Sequence, residues 1–203
     1  ATVTASDGTN SSTQDITVTI TDIDDVVPTF TSNATFSAAE NQTSIGTVTA
    51  TDTDTDDSSI VFSVSGSELA ITSGGVLTFA SAPDYETKTS YTATVTASDG
   101  TNSVTQNITV SVSNVDDAPV ITSSATFSAA ENQTAIGTVA ATDVDGDTLS
   151  YSLSGTDASS ISINSSSGVL TFNSAPDYET KTSYTATVTA SDGTNSVTQN
   201  VTI

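Results

Sequence analysis

The residues in this chain whose types and spacing could do chemistry are carboxylates set in recurring pairs. D-x-D occurs as Asp52 with Asp54 and as Asp143 with Asp145. D-Y-E occurs as Asp84 with Glu86 and as Asp177 with Glu179, and an A-E-N triplet places Glu40 and Glu131 upstream of each. Two short acidic hinges complete the set, D-I-D-D-V-V-P from Asp22 to Pro28 and N-V-D-D-A-P from Asn114 to Pro119. Alternate residues of an extended strand point the same way, so each x-spaced pair offers two carboxylates on one side. Such carboxylates repel by about 4 kcal/mol for a close pair near a protein surface. A chain that keeps them together is expected to neutralise them with a cation. Calcium suits the donor set, because it takes six to eight oxygen ligands at about 2.3–2.6 Å in a flexible shell, whereas magnesium holds a tight octahedron and more of its water.

Catalysis finds little support. Histidine and cysteine are absent, which removes the usual general bases and the common nucleophile pairings. Asp84 and Glu86 could form a glycosidase pair. Their repetition, and the absence of tryptophan to platform a sugar, argue against an enzyme.

The elements that must position these acids are strands. Ile16, Val18 and Ile20 alternate with threonine, as do Tyr91, Ala93, Val95 and Ala97 with Thr92, Thr94 and Thr96. Ile60, Phe62 and Val64 share one face, Leu77 and Phe79 another, and Ile108, Val110 and Val112 a third, with Phe36, Ile45, Val48 and Ala50 in earlier strands. Asp99-Gly100 marks a hairpin turn. No useful helical period is present, and about seven short strands in about 90 residues is the pattern of a Greek-key sandwich.

The sandwich recurs. S-A-P-D-Y-E-T-K-T-S-Y-T-A-T-V-T-A-S-D-G-T-N-S-V-T-Q-N, Ser81 to Asn107, returns unchanged from Ser174 to Asn200. S-D-G-T-N-S appears three times, with its aspartate at Asp7, Asp99 and Asp192, offsets of 92 and 93 residues. The 203 residues therefore divide into 1–26, the closing strands of a preceding repeat with its hinge; 27–117, a complete repeat with hinge; and 118–203, a second repeat whose last strand is cut short. The first piece is expected to be ordered only by its neighbours, and the whole is expected to be a window of a longer array. Tyr151 and Leu153 take the places of Phe62 and Val64, and Leu170 and Phe172 those of Leu77 and Phe79.

Composition narrows the partners. With 24 acidic residues against two lysines the net charge is -22, so nucleic acid and anionic membrane are poor partners, both requiring cationic surface. Without cysteine no disulfide can staple the small units, and a bound cation could serve instead. No stretch is apolar enough to cross a bilayer as a helix, and no signal peptide is visible.

Four motifs in one order, twice, at one spacing, give a specific resemblance: the repeats resemble cadherin domains in the form found in large microbial surface proteins. The resemblance implies an all-β, tandem Ig-like or cadherin-like Greek-key sandwich, an extracellular or cell-surface location, and calcium at each joint. At the central joint it implies Glu40, Asp84 and Glu86 from the first repeat, Asn114, Asp116 and Asp117 from the hinge, and Asp143, Asp145 and Asp192 from the second. At the upstream joint it implies Asp22, Asp24 and Asp25 with Asp52, Asp54 and Asp99. Asn114 and Ala118 depart from the family hinge, which is also one residue shorter there, so about two or three ions are expected at the central joint. The function implied is a calcium-rigidified structural and adhesion module, its partners being calcium, neighbouring repeats and other copies of the protein.

Other motifs have plainer explanations or rival ones. D-V-D-G-D, Asp143 to Asp147, is not an EF-hand, since glycine falls at the fourth position and Ser154 replaces the bidentate glutamate. Asp15, Asp56, Asp57, Glu68 and Asp157 fall outside the pattern and are expected to be surface charges. Threonine rows such as Thr92 to Thr96 leave a glycan- or surface-binding module as an alternative, and a laterally associated extracellular filament as another. Asn33, Asn41, Asn132 and Asn164 are acceptor sequons for N-glycans.

Overall fold

The computed structural model describes residues 1–21, 23–54 and 59–203 and falls into two compact units. Asp22, Asp56 and Asp57 lie outside the described residues.

The first unit comprises Ala1–Ala38, Gln42–Pro83 and Ser90–Val112. It opens with a hairpin, β1 (Thr2–Ser6) against β2 (Ser11–Asp15), antiparallel from Thr2 opposite Asp15 to Ser6 opposite Ser11. Every residue of both strands is exposed. The strand expected over Ile16, Val18 and Ile20 does not form, and Val18 and Ile20 are 79% and 92% exposed. A strand needs a ladder: Ile16 still exchanges backbone hydrogen bonds with Ala1, at 2.7 and 2.9 Å, and beyond it no described strand pairs with Val18 or Ile20. Their counterparts Ile108, Val110 and Val112 are held between two neighbours and buried.

The rest of this unit is a two-sheet sandwich. One sheet runs in the order β4 (Thr35–Ala39), β11 (Ser103–Ser113), β10 (Ser90–Ser98), β7 (Val61–Val64). The other is β5 (Ser44–Thr47), β9 (Val76–Phe79), β8 (Leu69–Ile71), with β3 (Thr29–Phe30) paired to β6 (Ala50–Thr51) beside it. Among the described residues nine segments fill the seven expected strand places, because the opening strand breaks between β3 and β4 and the next between β5 and β6. Alternation places one face inward: Val48, Leu77, Val95, Ala97, Ile108 and Val110 are at most 1% exposed. Phe79 meets Tyr91 edge to face at 5.1 Å.

The second unit comprises Ala39–Asn41, Asp84–Thr89 and Ser113–Ile203. Its sheets are β15 (Ser150–Ser154), β18 (Thr185–Ser191), β19 (Ser196–Thr202) and β13 (Ala135–Thr138), β17 (Val169–Phe172), β16 (Ile161–Ile163), with the pair β12 (Val120–Ile121) and β14 (Ala141–Thr142). Val139, Leu170, Val188 and Val201 are at the centre of its core, with Tyr151, Leu153 and Tyr184 packed against them. Tyr151 pairs with Ala190 as Phe62 does with Ala97, and Leu153 with Val188 as Val64 does with Val95, as the repeat alignment requires.

Asp157 is not the simple surface charge expected from its position. One carboxylate oxygen meets Lys181 Nζ at 2.5 Å and the other accepts the Thr185 N–H at 2.8 Å, while the Lys181 ammonium sits 4.6 Å from the centre of the Tyr184 ring. The hydrogen bond from Lys181, then that from Thr185, hold the Asp157 carboxyl below its ordinary range.

Candidate metal centre

The second unit gathers its acids around Glu40. The A-E-N segment runs off the end of β4, and its Glu40 N–H donates to Ser113 O at 3.1 Å, which pins the segment against the start of the hinge. Glu40 is 2% exposed and is the sole buried charged side chain among the described residues. A buried carboxylate must be hydrogen-bonded. Glu40 Oε2 accepts the Tyr85 N–H at 2.7 Å and Oε1 the Val115 N–H at 2.8 Å, so one side chain fastens D-Y-E and hinge together.

Asp84 is fixed by a turn of its own. Its carboxylate accepts the Thr87 N–H and hydroxyl, both at 3.0 Å, and its carbonyl oxygen accepts the Lys88 N–H at 2.9 Å. Glu40, Asp84 and Glu86 each offer a carboxylate oxygen within 4.8 Å of the others. Desolvation, with the charges of Glu40 and Asp145 beside it, pushes the Glu86 carboxyl above its ordinary range. The corresponding Glu131, Asp177 and Glu179 form a second such trio, all three exposed.

The D-x-D loop closes on the hinge. Asp145 accepts the Asp117 N–H through Oδ2 at 2.8 Å and the Asn114 amide through Oδ1 at 2.9 Å, and these two contacts hold its carboxyl low. Asn41, at φ 61°, donates its amide to Asp117 Oδ1 at 3.0 Å. The third contribution is the S-D-G-T-N turn: Asp192 Oδ1 accepts the N–H groups of Thr194 and Asn195 at 2.7 and 2.6 Å, an Asx turn. Asn195 then donates its amide to both the carbonyl oxygen and Oδ2 of Asp116, at 2.9 and 3.1 Å.

Glu40, Asp84, Glu86, Asn114, Asp116, Asp117, Asp145 and Asp192 thus belong to one connected array within the second unit, and Asp143 accepts the Asp147 N–H at 3.3 Å within the D-x-D loop. Asn41 and Asn195 join them although neither was expected at the metal site. The threefold S-D-G-T-N was the available signal for Asn195; it pointed to a turn and to its aspartate as a ligand, not to the asparagine.

The first unit repeats part of this arrangement. Asp54 Oδ2 accepts the N–H groups of Asp25 and Val26, both at 2.8 Å, and Asp52 Oδ1 accepts the Asp54 N–H at 3.1 Å. A hydrogen bond with the Asp52 side chain, then those from Val26 and Asp25, lower the Asp54 carboxyl. Asp99 Oδ1 holds the N–H groups of Thr101 and Asn102, and Asn102 donates its amide to Val26 O at 3.1 Å, with Asp24 at 3.5 Å. Asn102 is the counterpart of Asn195. It reaches the carbonyl and carboxylate oxygens of Asp24 as Asn195 reaches those of Asp116, at a longer 3.5 Å, and adds Val26 O.

Both arrays fit a hard cation. Every side-chain group in the sets that could ligate does so through oxygen. Asp143 Oδ2 and Asp192 Oδ2 in the second unit, and Asp54 Oδ1 and Asp99 Oδ2 in the first, are buried from solvent with no hydrogen-bond partner. A buried, partnerless carboxylate oxygen is costly. A divalent ion is the group that would satisfy all of them.

The Cadherin domain family model matches residues 34–113 and 125–203. No curated protein matches the chain. Among solved structures, mouse Cadherin-23 EC22-24 is 26% identical, the match covering 99% of this chain and 71% of that one at a TM-score of 0.55. PcdhgB3 EC1-4 is 25% identical over 100% and 55%, at 0.59. Human Protocadherin-24 EC1-2, at 22% identity, covers 88% of this chain and 95% of its own with a TM-score of 0.61, a likeness of fold alone.

Proposed function

Because the chain belongs to the cadherin domain family, we propose that it is a calcium-rigidified stretch of an extracellular adhesion array. The observation that carries this reading is the set of buried, partnerless carboxylate oxygens on Asp143 and Asp192, in the same array as the Glu40, Asp84 and Glu86 trio. Calcium would be held by Glu40, Asp84, Glu86, Asp116, Asp117, Asp143, Asp145 and Asp192, with Asn114 beside them; at the upstream hinge Asp24, Asp25, Asp52, Asp54 and Asp99 would serve, with Asp22 included on sequence grounds. The ion supplies charge cancellation. The protein supplies its fixed position, through backbone N–H groups that orient one oxygen of Asp54, Asp99 or Asp192 and leave the other for the metal.

The proposed consequence is mechanical. Residues 27–117 and 118–203 act as successive repeats, flexibly tethered when their acids repel and stiffened when ions tie D-Y-E, hinge and D-x-D together. At the affinities of extracellular modules, about 0.1–1 mM, stiffening would be confined to the outside of the cell. The family is one of adhesion domains, and the site performs no chemistry on a substrate in this reading. The test is thermal unfolding and small-angle scattering in millimolar calcium and in chelator. A higher melting temperature and a larger maximum dimension with calcium are expected; identical curves under both conditions would sink the proposal.

A second reading rests on the outward residues of β10 and β11 and of β18 and β19. Thr92, Thr94, Thr96, Thr105, Asn107 and Thr109, and their counterparts in the second unit, carry no charge on a chain of net charge -22. Such hydroxyl and amide rows would suit a neutral glycan. Binding of the chain to a glycan array would support this reading, and its absence would remove it.

A further inference from the structure

The chain enters and leaves a repeat on neighbouring strands that run the same way. In the first repeat the entry strand β4 is the edge of its sheet and lies against the exit strand β11, which has β10 on its other side. The Thr109 N–H of β11 donates to Ala34 O at 2.9 Å, and farther along both strands the Glu40 N–H donates to Ser113 O at 3.1 Å. Residue numbers rise together from the first contact to the second, so the two strands are parallel. The second repeat opens in the same way. Thr126 pairs with Thr202 in parallel, the Thr202 N–H donating to Ala125 O and the Phe127 N–H to Thr202 O, both at 2.9 Å. The hairpins beside these contacts, β10 with β11 and β18 with β19, are antiparallel.

That geometry decides how the fold meets a pull. A hairpin drawn apart by its two ends opens one hydrogen bond at a time, whereas parallel entry and exit strands are drawn past each other along their axes and their contacts are loaded together. β11 is also held along nine residue pairs by β10, from Ser90 opposite Ser111 to Ser98 opposite Ser103. The edge strand β4 is therefore the one that must give way first. A ring anchors it from the far side. Phe36 lies over Gly46 of β5, where a Cβ would stand 3.5 Å from the ring, and Phe127 lies over Gly137 of β13, where a Cβ would stand 2.8 Å away. In both repeats a glycine of the next strand thus leaves room for the aromatic ring of the entry segment.

We infer that each repeat bears tension in its own right, through a clamp made of the parallel entry and exit strands and the ring of Phe36 or Phe127 seated on its glycine. This load-bearing role is separate from the cation site and does not rest on the calcium reading.

Single-molecule force spectroscopy on the full 203-residue chain tests the inference, and because the sequence has no cysteine, introduced cysteines alone define where the handles attach. Asn33→Cys with Ser113→Cys pulls β4 and β11 past each other. Asn33→Cys with Asn107→Cys pulls at neighbouring points and peels β4 away from its Thr109 end. All three positions are exposed. In chelator, at one loading rate, the first pair should unfold at a force several times that of the second, since forced unfolding follows the barrier to the step being pulled rather than overall stability. Equal forces from the two pairs would overturn the inference. A difference that appears only in calcium would overturn it as well, by assigning the load to the hinge ions, while a difference in chelator would stand even if the chain bound no calcium.

Discussion

Glu40 and Val115 are joined by a 2.8 Å hydrogen bond, carboxylate Oε1 to backbone N–H, across 75 residues of chain. The second oxygen of the same carboxylate holds Tyr85 at 2.7 Å. Removing the side chain leaves two backbone donors without their charged acceptor. Glu40→Ala is therefore expected to cost about 2–3 kcal/mol even without metal. The check is thermal or denaturant unfolding in chelator, where metal binding is silent. A variant that unfolds with the wild type there would show that Glu40 has no such structural role.

Calcium should stabilise the chain by mass action. At a free concentration 100-fold above the dissociation constant, one site contributes about 2.7 kcal/mol. Asp116→Ala and Glu86→Ala each remove a carboxylate from the shared array, so most of the calcium-induced rise in melting temperature should disappear in either. The comparison is between the calcium increments of variant and wild type, which separates metal loss from any change in the apo fold. Full retention of the increment in both variants would place the ion elsewhere.

Much of the fold was legible because strand burial has period 2. Val95 and Ala97, or Leu77 and Phe79, can point inward only if their threonine neighbours point out. Val18 and Ile20 carry the same alternation and form no strand, because the period specifies a face while the ladder requires a partner that a local pattern does not contain. The acids of the site were legible through recurrence. Their supports were not: Asn195 and Asp116 are 79 residues apart, and nothing local in S-D-G-T-N distinguishes a turn-forming asparagine from one whose side chain also holds a hinge. Asp157 failed for the same reason, its lysine lying 24 residues away.

The Asp157 and Lys181 pair predicts a pH effect with a definite sign. Asp157 titrates below its ordinary value of 3.8 in the folded chain, so the unfolded state binds more protons in that range and stability rises with pH. The contribution is complete above the unfolded value and is lost as pH falls through the folded one. Asp157→Asn should flatten the acid limb of the stability curve below about pH 4, and unfolding midpoints in chelator at pH 5 and pH 3 would measure it. An equal pH dependence in variant and wild type would mean that solvent screens the pair.

Gly75 and Gly168 occupy equivalent turns, at φ +85° and +68°, and each is buried. A Cβ would meet the carbonyl oxygen of Val48 at 2.2 Å in the first and of Val139 at 2.1 Å in the second. Those valines donate their own N–H groups to Gly75 O at 2.8 Å and Gly168 O at 2.9 Å, so the backbone cannot retreat without breaking a hydrogen bond next to a core residue. Gly168→Ala combines a disfavoured left-handed alanine with a backbone clash, and should lose more than about 2 kcal/mol. Gly193→Ala shares the positive φ, 110°, but has nothing within 4 Å of its Cβ, so it isolates the conformational part and should cost less. Unfolding both variants in chelator tests the ranking. Equal losses would mean that the approach to Val139 is relieved by a shift of the chain, and that the left-handed conformation alone sets the cost.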